Sequence, residues 1–403
     1  MRAAIVIVGS EMLTPWKQDT NSLYLTEVLN QHGVEVTTKI ILGDEEDELS
    51  AALAFLAKHN ELILLSGGLG PTRDDVTREA TACFLKVPLI HFPELLMEIQ
   101  AFFAARGRDF PEIAKKQSMI PEGAEPLHNQ AGTAPGFVYQ GKTFSIWAFP
   151  GVPQELRHMV QASLIPALKK LALPAVHTLH MALSGKPESE CELILEPYYR
   201  KYGRDGFTIL SGGGKIELIV KTTDPDTLRE RKELLSELFS DDLYTDRGET
   251  MEAVVIRLLI ERRETLAVAE SCTGGLLAKR LTDVPGASAV FMGGMVAYDN
   301  SIKIEQLSIP PSLIEKHGAV SQAVAEEMAR SARTTFSSHY GIGITGIAGP
   351  TGYTEDKPLG TVHIAVSARD QTIHRKFRFP GDRDRVRTFA VQSSLDMLRR
   401  ILT

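Results

Sequence analysis

The largely apolar run Glu61–Ser66 passes directly into Gly67-Gly68-Leu69-Gly70-Pro71-Thr72-Arg73-Asp74-Asp75 and then into a helix-forming stretch. A short apolar run bounded by glycine reads as a strand buried on both faces, the kind found in parallel sheets covered by helices. This junction commits its neighbourhood to an α/β sheet with loops at the strands' carboxyl ends. The flanking pattern agrees. Ala3–Val8 reads as a second buried strand and Thr20–Gln31 as an amphipathic helix ending at Gly33. Val34–Leu42 is strand-like, Asp47–Lys58 helical, Lys142–Phe149 a closing strand, and about Gln154–Leu171 a helix. Strands alternating with such helices imply βαβ units.

A second alternating region opens after Gly248. Met251–Glu261 reads as a helix, Leu266–Ala269 as a strand, Thr273–Leu281 as a helix and Val290–Ala297 as a strand. Ser321–Arg333 is helical with Ser321 as N-cap. Gly341–Thr345 and Gly360–Ala368 are strands, Gln371–Phe379 an outer strand, and Asp382–Leu402 a terminal helix. Between the two regions, His177–Leu183, Pro187–Tyr202, a Phe207–Thr222 hairpin around Gly212-Gly213-Gly214, and Pro225–Phe239 form a small βαββα module. The expected fold class is α/β, two three-layer α/β/α domains (1–171 and 250–403) joined by an α+β module (172–249).

The first glycine-rich loop has the makings of an anion site. Glycines let backbone approach a ligand, and amides at a helix start hold phosphate. Asp74 and Asp75 are the hard oxygen ligands that Mg²⁺ favours when it bridges phosphates. The plainer alternative is a tight turn with Asp75 as a cap. Neither a GxGxxG nor a GxxxxGK[ST] pattern is present, which sets aside dehydrogenase and P-loop readings. Gly9-Ser10-Glu11 with Asp19-Thr20-Asn21 forms a second strand-end cluster, and Asn129–Gly136 a third. Ligands bind outside the carboxyl ends of such strands, so these clusters should face one crevice.

These residues resemble a known family. Residues 1–170 look like the molybdopterin-binding (MogA/MoaB-like) fold at the N-terminus of the CinA, competence/damage-inducible, proteins, on Gly67–Asp75, Asp19–Asn21, Gly132–Gly136 and Pro150–Pro153. The resemblance implies metal-dependent ADP-ribose pyrophosphatase activity. It implies a divalent cation at Glu11, Asp19, Asp74 and Asp75, with substrate at Asn21, Gly67, Gly68, Gly70, Thr72, Gly132 and Thr133. Thr14-Pro15-Trp16 stands where the family usually has a glycine, and proline lacks an amide to give.

In the last region, Glu270-Ser271-Cys272-Thr273-Gly274-Gly275 joins strand to helix, a favourable place for a nucleophile or phosphate ligand. The alternatives are that Ser271 or Thr273 is an N-cap and that Cys272 is buried filler. Tyr298–Lys303 and Gly343–Pro350 follow two further strands. A desolvated Lys303 could act as base for Ser271, against the alternative of a solvated charge. Oxyanion donors could come from Gly346 or the Thr273–Gly275 turn. These stretches, with His317–Ser321 and Lys357–Val362, resemble the C-terminal CinA domain, the nicotinamide mononucleotide amidohydrolase family. Asp299 stands where many relatives have serine. The resemblance implies Ser271 and Lys303 as catalytic pair with Tyr298 and Thr345 beside them. It places substrate at Thr273, Gly274, Gly346, Gly349 and at Arg383, Arg385 or Arg387, with no cofactor. The middle module resembles the KH-type domain of long CinA chains. Its glycines lie in a hairpin and not between two helices, which favours a spacer or dimer contact over RNA binding.

Composition limits partners. Forty-four Lys+Arg against 51 Asp+Glu give a net charge of −7, which disfavours nucleic-acid contact. Cys83, Cys191 and Cys272 stand far apart, so no disulfide framework is indicated. No apolar run approaches the roughly 18 residues of a membrane span. The expectation is a cytoplasmic, homodimeric, bifunctional hydrolase of nicotinamide mononucleotide and ADP-ribose. The rivals are a pterin- or nucleotide-binding partner protein in competence or DNA repair, and an amidase of other specificity.

Overall fold

Alternation along the first strand sets the layering. In β1 (Arg2–Val8), Ala3, Ile5 and Ile7 enter one core with Leu25 and Leu29 of the helix Asn21–Gln31. Ala4, Val6 and Val8 enter a second core with Leu49, Leu53 and Leu56 of the helix Glu46–Leu56. A strand whose successive side chains are all apolar must be covered on both faces. The structure, a computed structural model, describes residues 1–403 and divides into two units, Met1–Val176 and His177–Thr403.

The first unit continues with β2 (Glu35–Leu42), β3 (Leu62–Ser66), β4 (Leu89–His91), β5 (Met119–Pro121), β6 (Ala124–Leu127), β7 (Gly136–Gln140) and β8 (Ser145–Phe149). The main sheet has the order β2-β1-β3-β8-β7-β6. Its β2, β1, β3 and β8 are parallel, whereas β7 and β6 are antiparallel additions. The chain steps outward from β1 to β2 and then back across β1 to β3, so the connection reverses between β1 and β3. The helix expected over Gln154–Leu171 is interrupted: Pro153–Met159 and Ile165–Lys170 flank a wide π turn, Val160–Leu164. Pro166 lacks the N–H that an unbroken helix needs there.

The second unit opens with β9 (His177–Ser184), β10 (Phe207–Gly212), β11 (Lys215–Thr222) and β12 (Leu243–Thr245), in the order β10-β11-β9-β12. The helix expected over Pro187–Tyr202 is two, Glu188–Ile194 and Glu196–Tyr202, broken ahead of Pro197. β13 (Leu266–Glu270), β14 (Phe291–Val296), β15 (Tyr340–Gly346), β16 (Thr361–Ser367) and β17 (Thr372–Arg378) form a five-stranded sheet, β14-β13-β15-β16-β17. Leu266 and Val268 face the terminal helix Arg383–Leu402, and Ala267 and Ala269 face the helix Gln322–Thr335. The middle module is not separate from this region. Ala182 and Tyr244 lie in the same core as Val254 and Leu395, and Arg400 pairs with Asp242 at 2.9 Å.

Candidate functional sites

The connection reverses where the carboxyl ends of β1 and β3 open into a crevice of about 510 Å³. Glu11, Asp19, Asn21, Gly67, Gly68, Gly70, Asp74, Asp75 and Thr133 line it. Open α/β sheets bind ligands at such reversals. Gly67 turns there with φ 110°, and a Cβ on it would stand 2.0 Å from the Val8 carbonyl oxygen. Only glycine lets the two strand ends pass so closely. Asn21 is buried, and its Nδ2 donates to Ser66 Oγ at 3.0 Å and to the Gly151 carbonyl at 2.9 Å. It braces the crevice floor. Gly132 donates its N–H to Asn129 Oδ1 at 3.0 Å and sits against Glu155, which lines the crevice.

The glycine-rich loop is self-contained. Asp75 accepts the Gly70 N–H at 2.7 Å, the Thr72 N–H at 2.8 Å and the Thr72 hydroxyl at 2.5 Å. The expectation of free loop amides therefore fails at Gly70 and Thr72, and Asp75 acts as the clasp of the turn. The helix starts only at Thr77. On the carbonyl side, buried Arg78 donates to Leu69 at 2.5 Å, and Lys116 to Asp75 at 2.6 Å. Asp19 accepts the Ser22 N–H at 3.0 Å near the start of its helix. Glu11 pairs with Lys17 at 2.6 Å, which holds its carboxyl below the usual range. Asp74 stays exposed at the rim, its carboxyl lowered chiefly by Thr72. No three His, Cys, Asp or Glu side chains gather as a metal cage. Asp74 presents an exposed carboxylate at the rim while Glu11 is engaged by Lys17, so the donor set is that of an open site and not of a cage.

In the second unit, alternation places Ser271 on the face of Ala267 and Ala269, and Thr345 on the face of Gly341 and Gly343 beneath the same helix. The strands are adjacent: the Ser271 N–H donates to the Ile344 carbonyl at 2.9 Å. Thr345 Oγ1 donates to the Ala319 carbonyl at 2.8 Å. Lys303 is 2% exposed, and the only hydrogen bond of its side chain runs from Nζ to the Tyr298 carbonyl at 3.1 Å. Burial pulls its pKa below the ordinary lysine value. Cys272 is buried and its thiol is pushed up to about 12, which makes it inert.

Neither Ser271 nor Thr273 caps the following helix, which runs Leu276–Thr282 and starts later than the expected Thr273. Buried Glu270 does so, accepting the N–H groups of Gly275 at 3.0 Å, Leu277 at 3.1 Å and Ala278 at 2.8 Å. Gly274 N–H is held by the Ser271 carbonyl at 3.1 Å. Two of the three turn amides expected as oxyanion donors are thus engaged. Glu270→Ala strands several N–H groups and is expected to cost about 2–4 kcal/mol. A melt of the whole chain should show the second unit's transition lowered by roughly 5–15 °C; an unshifted transition would refute the capping role.

Of the three arginines, two reach the cluster. Arg383 donates to Tyr298 Oη at 2.7 Å and to the Gly349 carbonyl at 2.8 Å. Arg387 grips the Thr273 carbonyl at 2.7 Å. Positions four apart share a helix face, whereas Arg385 is turned away and lies over Phe389.

Two family models match the chain, the CinA C-terminal domain over residues 248–402 and a probable molybdopterin binding domain over 4–170. A CinA-like protein of Solibacter usitatus is 41% identical over 413 residues, spanning 100% of this chain and 99% of the relative. The chain belongs to the CinA family. A CinA-like protein of Koribacter versatilis is 42% identical over 413 residues, with 100% of both chains covered. A crystal structure of the protein CinA with unknown function from Thermoplasma acidophilum is 29% identical, with a TM-score of 0.39 over 41% of this chain and 97% of that one.

In this CinA chain, several site residues escaped sequence reasoning. Asp44 accepts the Ser10 N–H at 2.8 Å at the crevice. Glu270 carries a visible signal, a carboxylate closing an apolar strand just before a glycine turn. His363 pairs across the sheet with Thr345 and lies 3.0 Å from His374, with burial driving its pKa down to about 4. Asp299 accepts the Ser301 N–H at 2.9 Å as N-cap of the helix Asn300–Leu307, a task serine also performs, which accounts for either residue at that position.

Proposed function

We propose that this CinA chain hydrolyses nicotinamide mononucleotide to nicotinate mononucleotide and ammonia at the second-unit cluster. The observation that carries the reading is Lys303: an almost fully buried amine with no carboxylate in ion-pair contact, near enough to Cys272, the residue after Ser271, to feel its charge. Burial there lowers the pKa of the amine, which makes its neutral, proton-accepting form easier to reach. In the proposed reaction, Lys303 takes the Ser271 proton as Oγ attacks the carboxamide carbon. The ammonium of Lys303 returns the proton to the departing nitrogen, the C–N bond breaks and ammonia leaves. Water then cleaves the acyl ester by the same relay, regenerating Ser271. Arg383 and Arg387 are the cations suited to the nucleotide phosphate.

The first-unit crevice supports ADP-ribose hydrolysis to AMP and ribose 5-phosphate. Glycines at the strand reversal allow close approach of a pyrophosphate, and Asp74, with Glu11 in exchange for its Lys17 partner, would hold a divalent cation. That ion, when bound, neutralises the charge of the pyrophosphate. The engagement of Asp75 and Asp19 in their own turns favours a second reading, in which the crevice binds a nucleotide or pterin without turnover.

Purified protein is expected to release ammonia from nicotinamide mononucleotide and far less from free nicotinamide. Arg383→Ala should raise KM for the nucleotide about tenfold or more, and Arg385→Ala should leave it unchanged. Equal rates on both substrates would remove phosphate recognition from the reading.

A further inference from the structure

Two buried residues that do not line the first-unit crevice control the loop that does. Thr77 and Arg78 open the helix Thr77–Leu85, and each is 0% exposed. Between them they hold four successive carbonyls of the glycine-rich loop. Thr77 Oγ1 donates to the Gly67 carbonyl at 2.8 Å, and the Thr77 N–H to the Gly68 carbonyl at 3.1 Å. Arg78 donates to the Leu69 carbonyl at 2.5 Å and to the Gly70 carbonyl at 3.4 Å. A planar trans peptide sends its N–H to the side opposite its carbonyl. Tying the Gly67 and Gly68 carbonyls to the helix therefore turns the N–H groups of Gly68 and Leu69 away from it. Those two N–H groups have no acceptor in the protein, and both residues line the crevice. The Leu69–Gly70 peptide is gripped at both ends, its carbonyl by Arg78 and its N–H by Asp75 at 2.7 Å.

Stability alone does not account for this arrangement. Gly67 and Gly68 sit at φ 110° and 64° with no Cβ to fix them, so hydrogen bonds set the direction of their peptides. Arg78 has no carboxylate at ion-pair distance: Glu79 pairs with Lys116 at 3.1 Å, Asp75 is engaged by the loop, and both act on the guanidinium from farther away. Its Nε has no partner. A guanidinium buried on carbonyls alone is a poor way to stabilise a fold. Burial lowers its pKa to about 10, so it stays charged at neutral pH and keeps the carbonyls drawn toward the helix. Resting on the reading of this crevice as a pyrophosphate site, we propose that Thr77 and Arg78 are positioning residues that aim the Gly68 and Leu69 amides at the anion. Without them a loop carbonyl is free to rotate toward the crevice and present the negative end of its dipole.

The test is equilibrium binding of inorganic pyrophosphate and of ADP-ribose to the full chain, by calorimetry in a chelator, so that no cation contributes. Thr77→Val keeps the shape and loses the hydroxyl, whereas Thr77→Ser keeps the hydroxyl and loses a methyl. Thr77→Val is expected to weaken both ligands about tenfold, and Thr77→Ser to bind like the parent. Packing alone gives the reverse order, since only serine leaves a void. Arg78→Met, of similar length but without a donor, should also weaken both ligands about tenfold, and a cooperative melt establishes that each variant folds. Pyrophosphate that binds and responds to the variants while ADP-ribose does not bind would uphold the positioning role and remove the nucleotide from the reading of the crevice. The proposal is overturned if pyrophosphate shows no saturable binding, if Thr77→Val binds like the parent, or if Thr77→Ser is weakened as much as Thr77→Val. A folded Arg78→Met with parent affinity overturns it equally. ADP-ribose bound tightly by the parent and by every variant would leave the reading intact and only the positioning role refuted.

Discussion

Ser271→Ala is expected to lower ammonia release from nicotinamide mononucleotide by about 10³-fold or more, with AMP formation from ADP-ribose at the parent rate. The size follows from the role: without Oγ no acyl ester forms, and only binding and residual polarisation remain. Lys303→Met should fall as far, because Lys303 is the proposed acceptor of the Ser271 proton. Replacing a buried amine by a thioether of similar length leaves no unpaired charge, so the variant should melt no lower than the parent. Lys303→Arg should also be inactive, since a guanidinium stays protonated. The pH profile supplies the sign. Burial lowers the Lys303 pKa, and the neutral amine is the competent form. The rate should therefore climb with pH through a midpoint below the ordinary lysine value and level off above it. A rate that falls over that range, or a Lys303→Arg variant with parent activity, would eliminate lysine as the base.

Chelation should separate the two chemistries. Removing divalent cations is expected to abolish AMP formation and spare ammonia release, because the first crevice holds carboxylates suited to a cation, whereas the second cluster offers an amine and hydroxyls. Asp74→Ala should reduce AMP formation by about 10²–10³-fold, the usual scale for one lost charge interaction in a transition state. Asp75→Ala should act by another route. With the Gly70 and Thr72 amides released, the loop loses its clasp, so its damage should appear in nucleotide binding as well as in rate. AMP formation that survives chelation, or loss of both activities together, would break the two-site assignment.

The buried strands were legible because residues such as Ala3–Val8 have no polar face to offer solvent, and a chain can hide such a run only between two helical layers. The gathering of Glu11, Asn21, Gly67, Asp74 and Thr133 at one crevice was legible for the same reason, since parallel strands bring their carboxyl ends to one edge. Side-chain commitments were not. Asp74 and Asp75 are adjacent and chemically alike, yet one stays exposed at the rim and the other takes three hydrogen bonds from its own turn. That difference depends on loop dihedrals, which composition does not carry. The helix start at Leu276 was misplaced because capping is usually sought in the residue just before a helix, and Glu270 reaches it from the end of a strand. The arginines show the gain from structure most simply: Arg383, Arg385 and Arg387 are equivalent as text, and helical periodicity separates them.

The terminal helix also bears on how this part of the chain can be exchanged between relatives. Asp396 receives Arg399 and Arg400 at 2.9 Å each, and those arginines continue to the Asp241 carbonyl at 2.8 Å and the Asp242 carboxylate at 2.9 Å in the middle module. A transplant cut at Met251 would carry half of that network and a bared edge where Tyr244 and Ala182 had packed. The transplantable segment is His177–Thr403, so the hairpin and the cluster of Ser271, Lys303 and Thr345 should be inherited together.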